Sequence, residues 1–205
     1  MLVARMAPAL SWPAPERNKV PIVDALRRVL PRHGRVLEIA SGSGQHVVYF
    51  AQQLPDLRFL PSDLDDAHLD SIRAWIAASA LANVEAPRRL DVCADDYGVG
   101  HVEAMFAANL LHIAPWTVAE RLFDGARRHL SPGGVLVLYG PFHIGGQPTA
   151  ASNAAFDADL RRRDPRWGVR DLEAVAELGT GAGLVLAERL AMPANNQLLV
   201  FRQPP

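Results

Sequence analysis

The apolar residues of this chain are spaced alternately as helix and as strand. Ile22, Val23, Leu26, Val29 and Leu30 recur at helical spacing behind Pro21, which suits a first turn, and Pro31 with Gly34 ends the segment. Arg35 to Ala40 is apolar almost throughout, as in a central strand covered on both faces. Val47, Val48, Phe50, Ala51 and Leu54 then mark a helix, Arg58 to Ser62 a short strand, and Leu69, Ile72, Trp75 and Ile76 another helix. A third strand around Arg88 to Val92 belongs at a sheet edge, since Pro87 and two arginines suit a central strand poorly. Ala104 to Leu111 reads as a fourth strand, Trp116 to Leu130 as a helix, and Val135 to Tyr139 as a fifth strand. From Gly140 to about Arg170 the periodicity is poor, and Gly145, Gly146, Pro148 and Pro165 predict a long irregular segment. Asp171 to about Leu178 is the last helix. Leu184 to Leu190 and Gln197 to Phe201 are strands joined so closely, through Met192-Pro193-Ala194-Asn195-Asn196, that they must form an antiparallel hairpin. Residues up to about Pro15 are expected to lack regular structure, because Pro8, Pro13 and Pro15 interrupt them.

Strands alternating with helices and closed by a hairpin imply an α/β fold: a seven-stranded, mostly parallel sheet with helices on both faces and a C-terminal antiparallel hairpin. In such sheets the ligand sits beyond the carboxyl ends of the strands. A chain of 205 residues with 49% hydrophobic and 21% charged content is most simply one domain. Within it, residues 1–31 form an arm and helix able to act as a lid, and 141–170 an insertion over the ligand edge. The net charge of −1 gives no support for nucleic-acid or membrane-surface binding. No apolar run approaches the roughly 18 residues of a spanning helix. The first residues lack a sustained apolar signal stretch, and Cys93, alone, forms no internal disulfide, so a cytoplasmic location is expected. The seven histidines show no paired ligand spacing, and no metal site is expected.

The chemistry gathers at Val36-Leu37-Glu38-Ile39-Ala40-Ser41-Gly42-Ser43-Gly44-Gln45, a strand running into a glycine turn and a helix start. A dinucleotide fingerprint needs a third glycine where Val47 stands, and no Lys-Ser or Lys-Thr follows as in a phosphate loop. Instead an acid, Glu38, precedes Gly42 by four residues, another, Asp63, ends the second strand, and a third, Asp91, follows the next. This spacing resembles the motifs of class I methyltransferases, which bind S-adenosylmethionine. Such a ligand carries an ammonium and a sulfonium but no phosphate, so carboxylates and carbonyls suit it better than anion-binding amides. The resemblance implies that Glu38 acts near the cationic amino-acid end, while Gly42 and Gly44 clear space for the methionine and ribose. It further implies that Asp63 holds the ribose, Asp91 and the Val92 amide frame the adenine, and Asn109 supplies backbone near the methionine.

Further stretches, among them Ala14-Pro15-Glu16-Arg17-Asn18-Lys19, Tyr139-Gly140-Pro141-Phe142, Ser152-Asn153, Phe156-Asp157, Trp167-Gly168-Val169-Arg170-Asp171 and Met192-Pro193-Ala194-Asn195-Asn196, resemble the methyltransferase-like 26 family. That likeness implies a fold and a cofactor class, and no substrate. Asn18, Trp116, Phe142, Asn195 and Asn196 are the expected walls of an acceptor pocket at the same sheet edge as the glycine turn. His112 is the candidate general base and Tyr139 the candidate contact to an acceptor oxygen. Arg161, Arg162, Arg163, Arg166 and Arg170 read first as a solvated face, with contact to an anionic acceptor as the alternative. The leading reading is a methyltransferase acting on a small molecule. A non-catalytic S-adenosylmethionine-binding or partner-binding module and a nicotinamide-dependent oxidoreductase are the alternatives; oligomeric state does not follow from the sequence.

Overall fold

In a strand, successive side chains point to opposite faces, so a run apolar at every position needs cover on both sides. The computed structural model, which describes residues 8–204, meets that need with helices above and below one sheet. The first half of the chain supplies α1 (Pro13–Val29), β1 (Gly34–Ile39), α2 (Gln45–Gln53), β2 (Leu57–Asp63), α3 (Asp66–Ser79) and β3 (Arg88–Arg89). β4 (Val102–Ala108), α4 (Trp116–His129), β5 (Leu130–Gly140), β6 (Phe142–His143) and α5 (Ala151–Arg163) follow. The chain closes with β7 (Arg170–Asp171), α6 (Leu172–Gly181), β8 (Val185–Met192) and β9 (Asn196–Arg202).

Seven strands pair in the order β3-β2-β1-β4-β5-β9-β8. The pairs from β3 through β5 are parallel; β9 runs antiparallel between β5 and β8, as the closing hairpin requires. The expected fold class is therefore the observed one. Leu37, Ile39, Met105, Leu136 and Leu138 face α4 and α6, where Leu122, Phe123 and Val175 are fully buried. Their strand neighbours Val36, Phe59, Phe106 and Val137 face α1, α2 and α3 through Leu26, Phe50 and Ile72.

Several expectations are corrected. α1 begins at Pro13, not at Pro21. Prolines in a first turn sacrifice no hydrogen bond, since those N–H groups have no partner within the helix. Pro21 instead lies inside the helix, where only the exposed Arg17 carbonyl one turn back loses its donor. Residues 8–12 are irregular but tethered: Leu10 N donates to Ser71 Oγ at 2.7 Å and Trp75 Nε1 to the Leu10 carbonyl at 2.8 Å. The rest of that expectation, for residues 1–7, lies outside the described residues. β3 takes the expected edge position but is only two residues long.

The segment from 140 to 170 is not irregular throughout, since α5 occupies thirteen of its residues. Only Asn153 and Leu160 of that helix are buried, so no apolar stripe marks it in the sequence. Arg161, Arg162 and Arg166 pair with Asp157, Asp159 and Asp164 on its surface. Arg170 departs from the expected solvated face: its guanidinium donates inward to the carbonyls of Leu111 and Ala114 at 2.8 and 2.6 Å. Among the described residues no helix is long and apolar enough to cross a membrane.

Candidate functional site

Parallel strands joined by crossovers end on one edge, and the strand order reverses between β1 and β4, so the loops there part and leave a crevice. A cavity of about 740 Å³ fills it, within the range of small-molecule sites. Its walls are the carboxyl ends of β1, β2, β4 and β5, the β8–β9 turn, the first turns of α1, and Asn153 and Phe156 of α5.

Glu38, Gly42, Asp63, Asp91, Val92 and Asn109 all line this cavity, as do Asn18, Tyr139 and Asn196. Glu38 is 3% exposed and its Oε2 has no hydrogen-bond partner. Burial, reinforced by the neighbouring Asp63 charge and opposed by a hydrogen bond from Ser41, pushes its carboxyl up to about 8. Asp63 is tied more tightly than a bare ribose ligand would be. Its Oδ2 accepts from Gly42 N at 2.8 Å, and its Oδ1 from Asp65 N at 3.0 Å beside His68 Nδ1 at 3.1 Å. Asp65 caps α3 by accepting from Ala67 N and is absent from the cavity wall, whereas Asp63 lines it. Asp91 Oδ1 turns the backbone by accepting from Cys93 N at 2.8 Å. Asn109, with φ of 60°, ends β4 in the left-handed region and donates its N–H to the Tyr139 carbonyl at 2.7 Å.

Both glycines of the turn have positive φ, yet the room they leave is taken by the protein. A Cβ on Gly42 would come within 2.6 Å of the Trp12 ring, and one on Gly44 within 3.0 Å of the α3 backbone at Ile72. Gly44 caps α2 and is absent from the cavity wall, so its expected role of clearing space for a ligand is corrected to helix packing.

Four other expectations fail on position. His112 is 1% exposed, its ring lies under Gly140 and edge-on to Phe142, and burial together with the Arg170 charge lowers its imidazole to about 3. It does not reach the cavity, so it is no general base there. Phe142 is buried beside it. Trp116 starts α4 with the Arg170 guanidinium 5.7 Å from its ring centroid, away from the cavity. Asn195 turns the hairpin with φ of 58° and offers its carbonyl to Asn153 Nδ2 at 3.0 Å, while Asn196 beside it lines the wall.

Residues outside the expected set, His46, Asn153 and Trp12, join the expected Asn18, Tyr139 and Asn196 in completing the site. His46, in the first turn of α2, lines the cavity with Nε2 2.7 Å from Asn18 Oδ1, stacked on Phe50. Burial lowers it to about 4, against the pull of the Glu16 charge. Burial raises the pKa of the Tyr139 hydroxyl, against the opposing influence of the Asn18 and Asn196 side chains. Asn153 is 5% exposed and spends Nδ2 on Thr149 Oγ1 and the Asn195 carbonyl, leaving Oδ1 as its remaining polar atom at the cavity. It stands on a helix without an apolar stripe, and in the sequence only the resemblance of Ser152-Asn153 pointed to it. Trp12 gave no signal, since it precedes the helix and belongs to no periodic set.

The fold is the Rossmann-like methyltransferase fold. The chain belongs to the family described as protein of unknown function DUF938, whose pattern it matches over residues 9–203. It is similar in structure to an O-methyltransferase family protein from Burkholderia thailandensis, with a TM-score of 0.77 and 21% identity over 91% of this chain and 56% of that one. An O-methyltransferase family 2 protein from Planctomyces limnophilus, solved with apigenin, matches with a TM-score of 0.79 and 18% identity over 91% and 56%. CalO1, a methyltransferase in calicheamicin biosynthesis solved in its SAH-bound form, matches with 0.73 and 18% over 88% and 52%. The chain thus spans little more than half the length of these proteins, and the likeness is one of fold.

Proposed function

We propose that this chain is an S-adenosylmethionine-dependent methyltransferase acting on a small molecule. The observation that carries the reading is Glu38: a buried carboxylate with an unpartnered oxygen, opening on a cavity beside a glycine turn. Buried carboxylates need a cationic or hydrogen-bonding partner, and a ligand bearing an ammonium supplies one. Asp63 and Asp91 extend the acidic side along successive strand ends, and the glycine turn lacks the Lys-Ser or Lys-Thr of a phosphate loop. The methyl-transferase folds of the neighbours, one of them solved with SAH, support the same cofactor.

When bound, S-adenosylmethionine supplies an electrophilic methyl group on a sulfonium. In this reading Glu38 and the carbonyls around Asn109 hold the amino-acid end, Asp63 and Asp91 the nucleoside. Asn18, Tyr139, Asn153 and Asn196 orient the acceptor against apolar surface from Ile113, Pro141, Phe156 and Pro193. Most of the rate comes from that positioning. If the acceptor sheds a proton, His46, on the Asn18 side of the cavity, is an imidazole at hand, and its lowered pKa makes it a weak base; His68, the other imidazole on the cavity, lies beside Asp63. α1 serves as a fixed lid, the described chain acts as a single domain, and the lone, exposed Cys93 fits a reducing cytoplasm. The finer likeness to the methyltransferase-like 26 family is part of this proposal; of its stretches, Pro15, Asn18, Pro141, Asn153 and Asn196 line the cavity.

Thermal-shift titration with S-adenosylmethionine, S-adenosylhomocysteine, NAD and NADP tests the reading. The two adenosyl ligands are expected to raise the melting temperature and the two dinucleotides to leave it unchanged. The opposite outcome assigns the site to a nicotinamide enzyme. Binding without transfer of a labelled methyl group to any small-molecule or protein fraction assigns it to a non-catalytic module.

A further inference from the structure

Trp12 stands immediately before α1 with its side chain 39% exposed on the cavity wall, unusual for the largest apolar side chain. Its six-membered ring covers Gly42, where a Cβ would meet ring carbons at 2.6 and 3.1 Å. The indole also meets the His68 imidazole edge-on, with centroids 5.2 Å apart, and His68 Nδ1 lies 3.1 Å from Asp63 Oδ1. One ring therefore covers the glycine turn and is linked, through His68, to the carboxylate that ends β2.

The backbone, not the ring, holds it there. Trp12 N donates to Gln45 Oε1 at 2.6 Å, and Gln45 Nε2 reaches Glu16 Oε1 at 2.6 Å and the Trp12 carbonyl at 3.4 Å. Leu10 is pinned to α3 by Ser71 and Trp75. These bonds run to α2 and α3, the two helices flanking the turn. Trp12 keeps 39% of its surface exposed while lining the cavity.

We propose that Trp12 is a ligand-contacting residue of the donor half: it closes over a bound adenosyl ligand between Gly42 and Asp63 and slows the ligand's release. The assignment rests on the proposed function and is separable from it.

The probe is S-adenosylhomocysteine, titrated calorimetrically and followed by stopped-flow tryptophan fluorescence. Trp12→Ala is expected to bind about tenfold more weakly, mainly through faster release, while Trp12→Phe stays within about threefold of the parent chain. Ligand binding is expected to change the tryptophan fluorescence of the parent and of Trp167→Phe, but not of Trp12→Phe. If the parent binds and Trp12→Ala matches its affinity and release rate, the Trp12 assignment is overturned alone. A fluorescence change retained in Trp12→Phe overturns it as well, and decides the matter if the alanine variant does not fold. A parent chain that fails to bind the probe overturns the proposed function, and this assignment with it.

Discussion

Glu38 shows how one side chain can report a ligand's charge. Its carboxyl is raised to about 8, so without ligand it is protonated at neutral pH, whereas a cationic ligand favours the ionised form. Binding below pH 8 must therefore expel a proton. The affinity for S-adenosylhomocysteine, which keeps the methionine ammonium, is expected to rise with pH by up to about tenfold per unit and to level off above 8. Glu38→Gln removes that slope and weakens binding, as calorimetry from pH 6 to 9 would record. A slope that survives the substitution places the titrating group elsewhere. At this scale the sequence was legible where spacing along the chain fixes position: Glu38, Asp63, Asp91 and Asn109 reach one cavity because each ends or follows a parallel strand. It was not legible for His112, three residues further on than Asn109. There a short helical turn carries the ring beneath Gly140 and away from solvent.

Among the elements, α5 and the β8–β9 turn are joined across the cavity by Asn153, whose Nδ2 donates to Thr149 Oγ1 at 2.8 Å and to the Asn195 carbonyl at 3.0 Å. Asn153→Ala removes both bonds and frees that wall. It is expected to raise the KM for a true acceptor by about tenfold, while the affinity for S-adenosylhomocysteine stays unchanged. Equal loss for both ligands would mean that α5 supports the whole site rather than its acceptor side. Strands and amphipathic helices were readable because each hides an apolar face against the sheet. α5 hides almost none, and α1 starts two turns before its apolar stripe does, behind prolines that interrupt a helix anywhere except its first turn.

For the whole molecule, stability should bend in opposite directions on the two sides of neutrality. His46 and His112 are lowered to about 4 and about 3, so their unfolded forms take up protons first, near 6.5. Their contribution is full above that value and is lost as pH falls through 4 and 3. Glu38 is raised, so its contribution is present below 4.5 and is lost as pH rises through 8. Chemical denaturation of the ligand-free chain is expected to show a stability maximum between these limbs. His46→Gln should flatten the acid limb and Glu38→Gln the alkaline one. An acid limb unchanged by His46→Gln would put its cause in the carboxylates. The order of apolar and polar residues determined by itself the α/β class, the mixed sheet with its terminal hairpin, and the acidic glycine turn at the ligand edge, because periodicity and chain direction are local properties. Only the tertiary structure decided which side chains share the cavity. The indole of Trp12 over Gly42, the Asn18–His46 pair and the Asn153 bridge to Asn195 join residues 28 or more positions apart, and no local pattern records such meetings. The glycine turn that the sequence offers to a ligand is, in the folded chain, first a seat for Trp12 and α3.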